Sequence, residues 1–286
     1  MPDASQLKRE IGLFSAIAVV VANMVGTGIF TTSGFILQEL GSATALLLGW
    51  VMGGTFALCG ALCYGELGAR FPEAGGEYIY LREAFGRPLA FLSGWTSLIV
   101  GFSAPVAAGA IAFASYLLGA FGVDRASLPT FAVPGMPMLT LSVPVILAIA
   151  IVLLLSLLHV HSLRVGSRIQ NLLTVFKVAL VVVFIGAGLL SKGGSLDHFR
   201  SPFVAGDLLD TRFAVALIFI SFAYSGWNAA AYLGGEIKRP SINIPLAMLV
   251  GTLVVTALYL MLNFVYIYAL PPAQMRGVME VAAVAG

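Results

Sequence analysis

Seven apolar stretches, each near or above the ~20 residues an α-helix needs to cross the hydrocarbon core of a bilayer, leave this chain little choice of solvent. They run over 14–35, 43–65, 89–118, 141–160, 166–190, 213–235 and 246–270. Only 10% of the 286 residues are charged and 59% are apolar, whereas a soluble domain carries roughly 25% charged residues. Mean hydropathy is +0.99. Such a chain has too little polar surface to face water, so it reads as an all-α integral membrane protein with a short cytoplasmic segment over 1–13. The first run is too long, too interrupted by glycine and too closely followed by a second to be a signal peptide, and reads as a true span.

The cations orient the spans. A cytoplasmic N-terminus puts Lys8, Arg9, Arg70, Arg82, Arg87, Arg164, Arg168, Lys238 and Arg239 inside, and Arg125, Lys192, Arg200, Arg212 and Arg276 outside, nine against five. The net charge of +2 is spread over loops, which excludes a nucleic-acid footprint. Lys177 belongs to no loop. It sits near the middle of the fifth run, where an ammonium costs about 2.5–3.5 kcal/mol and needs a partner or a task. Cys59 and Cys63 lie four apart on one helix face and read as small buried thiols rather than a disulfide or a metal site. His159, His161 and His198 lack partners at ligand spacing, so no metal and no cofactor is expected.

Two spans carry interruptions of the same kind. The first contains Asn23-Met24-Val25-Gly26-Thr27-Gly28-Ile29-Phe30, and the sixth contains Ser221-Phe222-Ala223-Tyr224-Ser225-Gly226-Trp227-Asn228. Broken helices at membrane depth are tolerated only where the freed backbone groups are buried in protein or line a cavity, and a matched pair of breaks in two repeats points to a transporter's binding site. If spans one and six each open a repeat, the first covers 14–190 and the second begins at 213. A second repeat of five helices has only two of them in 213–286, so the sequence reads as the front part of a longer fold.

Competing classes leave less trace. There is no His-Glu-x-x-His, Gly-x-Ser-x-Gly or phosphate-binding Gly-x-x-x-x-Gly-Lys, and no intramembrane Asp pair, which argues against a membrane enzyme. A seven-helix receptor is suggested only by the span count, against the inferred orientation and the doubled break. The loop acids Glu66, Glu73, Glu77 and Glu83, set among Arg70, Arg82 and Arg87, read as a solvated ion-pair network or a gate latch. Gly49 and Gly53 form a small-xxx-small pattern that helix packing explains.

Three stretches together resemble the amino acid/polyamine/organocation superfamily of permeases, most closely its L-type amino acid transporters. They are Gly26-Thr27-Gly28-Ile29-Phe30; the loop Gly65-Glu66-Leu67-Gly68-Ala69-Arg70-Phe71-Pro72 with Gly75-Gly76-Glu77-Tyr78-Ile79-Tyr80; and Phe222 to Asn228 with Gly235-Glu236-Ile237-Lys238-Arg239-Pro240 and Asn243-Ile244-Pro245. The resemblance implies a five-plus-five inverted-repeat, LeuT-like fold with helices one and six broken, here truncated after about seven helices. It implies secondary transport or exchange of an amino acid, in a bacterial inner membrane.

In such a site the substrate carboxylate meets backbone N–H groups and the hydroxyl around Thr27 and Gly28, while its ammonium meets carbonyls of Met24, Phe222, Ala223 and Ser225. Gly26, Ile29, Ser103, Ala104, Gly226, Trp227 and Asn228 complete the expected pocket. These residues include no Asp or Glu, so a neutral amino acid is expected. Gly26, Gly28 and Gly226 also fit a plain packing role. Lys177, in Arg168-Ile169-Gln170-Asn171-Leu172-Leu173-Thr174-Val175-Phe176-Lys177, resembles the lysine that replaces a sodium ion in sodium-independent members; a static cation and a proton carrier both remain open. Animal L-type relatives join a glycoprotein through a cysteine between spans three and four. Residues 119–140 contain none, so no disulfide-linked ancillary subunit is expected, and amino acid substrate and membrane lipid are the expected partners.

Overall fold

The computed structural model describes residues 7–26, 28–123, 128–133, 136–161, 163–190, 193–200 and 203–278. Thr27, Arg125 and Lys192 lie outside the described residues. Two compact units emerge, Met1–Ile79 with Arg168–Gly286, and Tyr80–Ser167. Neither coincides with a repeat inferred from sequence, because the first draws its helices from both ends of the chain.

In the first unit the leading apolar run becomes two helices, α1 (Leu13–Met24) and α2 (Gly28–Leu40), inclined by 41° across the glycine-flanked break. Next comes α3 (Ala43–Arg70), started by Ser42, whose side chain accepts the Ala45 N–H at 3.4 Å. The start of α4 (Glu77–Phe85) and the body of α8 (Leu163–Leu189) belong to this unit as well. The sixth run divides into α9 (Thr211–Ala223) and α10 (Ala229–Tyr232), followed by α11 (Pro240–Ala269) and α12 (Pro272–Met275).

The long α11 packs along α3 and α1, and α9 lies on α2 and α3. Small residues permit this closeness: a Cβ on Gly49 would stand 2.8 Å from the Ile220 side chain, and one on Gly54 2.6 Å from Thr256. Gly49 therefore packs, as its small-xxx-small spacing predicts. At the centre lie Trp50, Tyr224 and Tyr259, with ring centroids 5.1–5.6 Å apart. Cys59 and Cys63 are free and exposed on α3, not buried, because the glycine-bearing side of α3 is the one that meets α9 and α11.

The second unit holds one long span, Arg87–Ala120, built from α5 (Arg87–Thr96), a π-helical turn over Ser97–Ser103 and α6 (Ala104–Ala120). A two-stranded hairpin, β1 (Thr130–Val133) and β2 (Met136–Ser142), interrupts the stretch expected to be a loop, and α7 (Val143–His161) packs on α6. Among the described residues four helices are long and apolar enough to cross a membrane, and the bent α1–α2 pair makes a fifth. Val143–Leu157 and Thr211–Ala223 are apolar but shorter. Large exposed apolar side chains such as Leu172, Phe176 and Val183 line these helices, as a lipid-facing surface requires.

Candidate functional site

Ending a helix inside an apolar layer strands its last carbonyls, and at the end of α1 those of Ala22, Met24 and Val25 are met by side chains from other helices. The Lys177 ammonium on α8 donates to the Ala22 carbonyl at 3.2 Å and to the Val25 carbonyl at 2.8 Å. Both acceptors lie at the interrupted end of the first apolar run. A cation at a helix C-terminus also complements the helix dipole. Two further residues of α8, at three-residue spacing, continue the seam. Asn171 donates to the Ser15 hydroxyl at 2.9 Å, and the Thr174 hydroxyl is buried against the Ala18 carbonyl at 3.5 Å while donating to Gln170 at 2.7 Å. Lys177 is thus the last rung of a polar stripe that lays α8 along α1.

The Met24 carbonyl has a different partner, one that sequence reasoning missed. The Tyr259 hydroxyl on α11 lies 2.6 Å from the Met24 oxygen and 3.1 Å from the Ala223 oxygen, so one phenol joins the ends of α1 and α9. Each carbonyl has two lone pairs, and each retains one for another donor. Backbone proximity completes the pairing of the breaks. A Cβ on Gly28 would lie 3.2 Å from the Cα of Ala223, and one on Gly226 would lie 2.9 Å from the carbonyl carbon of Asn23. Gly226 also has φ of 100°, a conformation that residues with a Cβ rarely adopt.

Other expected residues divide. Ile29 is buried, Gly26 is exposed, and Phe222 is 73% exposed. The Phe222 carbonyl accepts the Ser225 hydroxyl at 2.7 Å and the Ser225 N–H at 3.1 Å. The Trp227 ring meets Tyr64 edge-on at 5.0 Å. Asn228 is held by Glu77, its Nδ2 donating to the carboxylate at 2.5 Å. Ser103 and Ala104 belong to the second unit, where the Ser103 hydroxyl donates to the Leu98 carbonyl at 2.6 Å across the π-helical turn. Of the loop charges, Arg82 and Glu83 form an ion pair at 3.0 Å, while Glu77 is bound by neutral donors. Among the described residues no group of three or more His, Cys, Asp or Glu could hold a metal.

The sequence motifs meet at two levels of this unit. Gly28 and Gly226 join the first and third stretches at the breaks. Nearer one end, Gly65 faces Pro245, where a Cβ would approach the Pro245 Cα to 3.1 Å, and Ala74 bridges to Leu233. At the same end Ile11 pairs with Ile237 through Ile11 N–H to Glu236 at 3.0 Å and Lys238 N–H to Ile11 at 2.8 Å. The Arg276 guanidinium meets the Gly41 carbonyl at 3.2 Å, between the first two spans.

The amino acid permease family model matches residues 11–286. The chain is 32% identical over 288 residues to the b(0,+)-type amino acid transporter 1 of Mus musculus, which aligns 99% of this chain with 56% of that protein. It is 32% identical over 264 residues to the serine/threonine exchanger SteT of Bacillus subtilis (strain 168), covering 92% and 56% respectively. With the large neutral amino acids transporter small subunit 2 of Rattus norvegicus it shares 31% over 292 residues, covering 98% and 51%. The chain spans about half the length of these curated relatives, which are named as transporters or exchangers rather than enzymes. Apolar spans, apposed helix breaks and a match across almost the whole chain lead to one assignment: this is a multi-pass membrane protein that belongs to the amino acid permease family of the amino acid/polyamine/organocation superfamily.

Proposed function

We propose that the chain carries the substrate-binding breaks of a secondary transporter that exchanges neutral amino acids by alternating access. The observation that carries this reading is the apposition of two helix breaks, Gly28 on Ala223 and Gly226 on Asn23, with Tyr259 joining the Met24 and Ala223 carbonyls. A zwitterion needs donors for its carboxylate and acceptors for its ammonium. The first N–H groups of α2, from Gly28 onward and beside Thr27, supply the former, and the carbonyls of Met24, Ala223 and Ser225 supply the latter, joined by Phe222 once it releases the Ser225 hydroxyl.

Gly26, Ile29, Gly226, Trp227 and Asn228 shape the pocket. The residues assigned to the pocket include no Asp or Glu to neutralise a cationic side chain, and the Glu77 carboxylate at Asn228 is already held by Asn228 and Tyr232, which favours neutral substrates. Exchange is preferred over proton coupling because SteT, a relative of similar identity, is named as an exchanger. Lys177 serves as a fixed cation in place of sodium, supported by its two carbonyl contacts. The protein works in a bacterial inner membrane with its N-terminus in the cytoplasm, as an inverted-repeat transporter whose first repeat is 14–190 and whose second begins at 213. It works without a disulfide-linked subunit.

The test is counterflow in proteoliposomes made with the complete protein. Internal unlabelled serine, alanine or leucine is expected to drive uptake of labelled serine, and arginine or lysine is expected not to compete. Tight competition by arginine with no response to neutral amino acids overturns the specificity. Absence of counterflow with any amino acid overturns the function.

A further inference from the structure

We infer that Glu77 is a positioning residue that clasps α10 to the loop before α4, and so governs how fast the second break rearranges rather than how tightly it binds substrate. The inference rests on the transport reading above. It begins with Gly75 and Gly76, whose φ values of 130° and 52° turn the chain sharply into α4. A Cβ on Gly76 would stand 3.1 Å from the Tyr232 ring, so the loop lies directly on that ring. The Gly75 N–H donates to the Tyr232 carbonyl at 3.2 Å.

This seating delivers the next carboxylate between two donors. Glu77 Oε1 accepts from Asn228 Nδ2 at 2.5 Å, and Oε2 accepts from the Tyr232 hydroxyl at 2.8 Å. Tyr64 of α3 stands near enough to Glu77 to feel its charge. Asn228 precedes α10 and Tyr232 ends it, so one half-buried carboxylate gathers both ends of α10 onto the loop. Hydrogen bonds to a charged acceptor are stronger than neutral ones. Of the pocket residues Glu77 holds only Asn228, by its side chain, and it bonds none of the groups assigned to the substrate carboxylate or ammonium. Any opening that moves α10 away from this loop must break the clasp, and a contact made in one state only shifts populations and rates.

Three variants of the complete protein, Glu77→Ala, Glu77→Gln and Tyr232→Phe, test this by two readouts. In counterflow, Glu77→Ala is expected to change the maximal rate by about tenfold with KM within about twofold, Tyr232→Phe by a smaller factor, and the double variant no more than Glu77→Ala alone. Glu77→Gln keeps the shape and one acceptor, so it falls between wild type and Glu77→Ala. Hydrogen exchange reads the clasp whether or not amino acids are the cargo: amides over 226–237 should exchange about tenfold faster in Glu77→Gln while 43–60 is unchanged. Unchanged exchange over 226–237 overturns the clasp. So does wild-type kinetics in both Glu77 variants, a shift confined to KM, or full additivity with Tyr232→Phe. Failure of the unmodified protein to transport any amino acid, with the exchange response intact, counts against the transport reading alone.

Discussion

A single ammonium and a single missing Cβ decide much of the geometry at the breaks. Removing the charge with Lys177→Ala strands the Ala22 and Val25 carbonyls in a dry layer, at about 1–3 kcal/mol for each group left unpaired. Substrate affinity or turnover should fall, and Lys177→Arg should not restore it, because a planar guanidinium is larger and fixed in its donor geometry. Wild-type uptake by Lys177→Ala would contradict this. Gly226→Ala meets two obstacles at once, a φ of 100° and a Cβ placed 2.9 Å from Asn23. It should abolish transport and lower the yield of folded protein. In contrast, Gly26→Ala meets nothing within 4 Å and should fold normally, which size-exclusion profiles of the two variants will compare.

Between elements, α11 does what neither broken helix does for itself. Tyr259→Phe keeps the ring in its aromatic cluster and removes only the hydroxyl that touches the Met24 and Ala223 carbonyls. The expected loss is about 0.5–1.5 kcal/mol from hydrogen bonding, plus the cost of leaving a carbonyl short of a donor. A lowered thermal midpoint that added substrate no longer raises would be its signature; an unchanged midpoint and substrate response would show that the bridge is idle.

The spans and both breaks were legible because apolar length and glycine spacing are local properties. Lys177 was legible because a charge in an apolar run needs an explanation. Tyr259 was not, since a tyrosine in an apolar helix carries no local mark and its partner Met24 lies 235 residues away in sequence. The capture of Asn228 by Glu77, 151 residues apart, was hidden for the same reason, and Asn228 read only as a pocket residue. Burial of Cys59 and Cys63 was misjudged because apolar sequence does not say which face of α3 meets protein and which meets lipid.

For the whole molecule, the proposed function is that of an autonomous, sodium-independent exchanger. With no cysteine over 119–140 and both cysteines on α3, reductant should leave its hydrodynamic size and activity unchanged. A partner that is released only by reductant would contradict that expectation. The central claim is that paired breaks bind the amino acid while Lys177 holds the place of a sodium ion. The most direct measurement is counterflow of a neutral amino acid by the complete protein in proteoliposomes, with sodium replaced by choline on both sides. The same initial rate is expected in choline as in sodium, and a reduced rate in Lys177→Ala under both conditions. Strict dependence of the unmodified protein on sodium would contradict it.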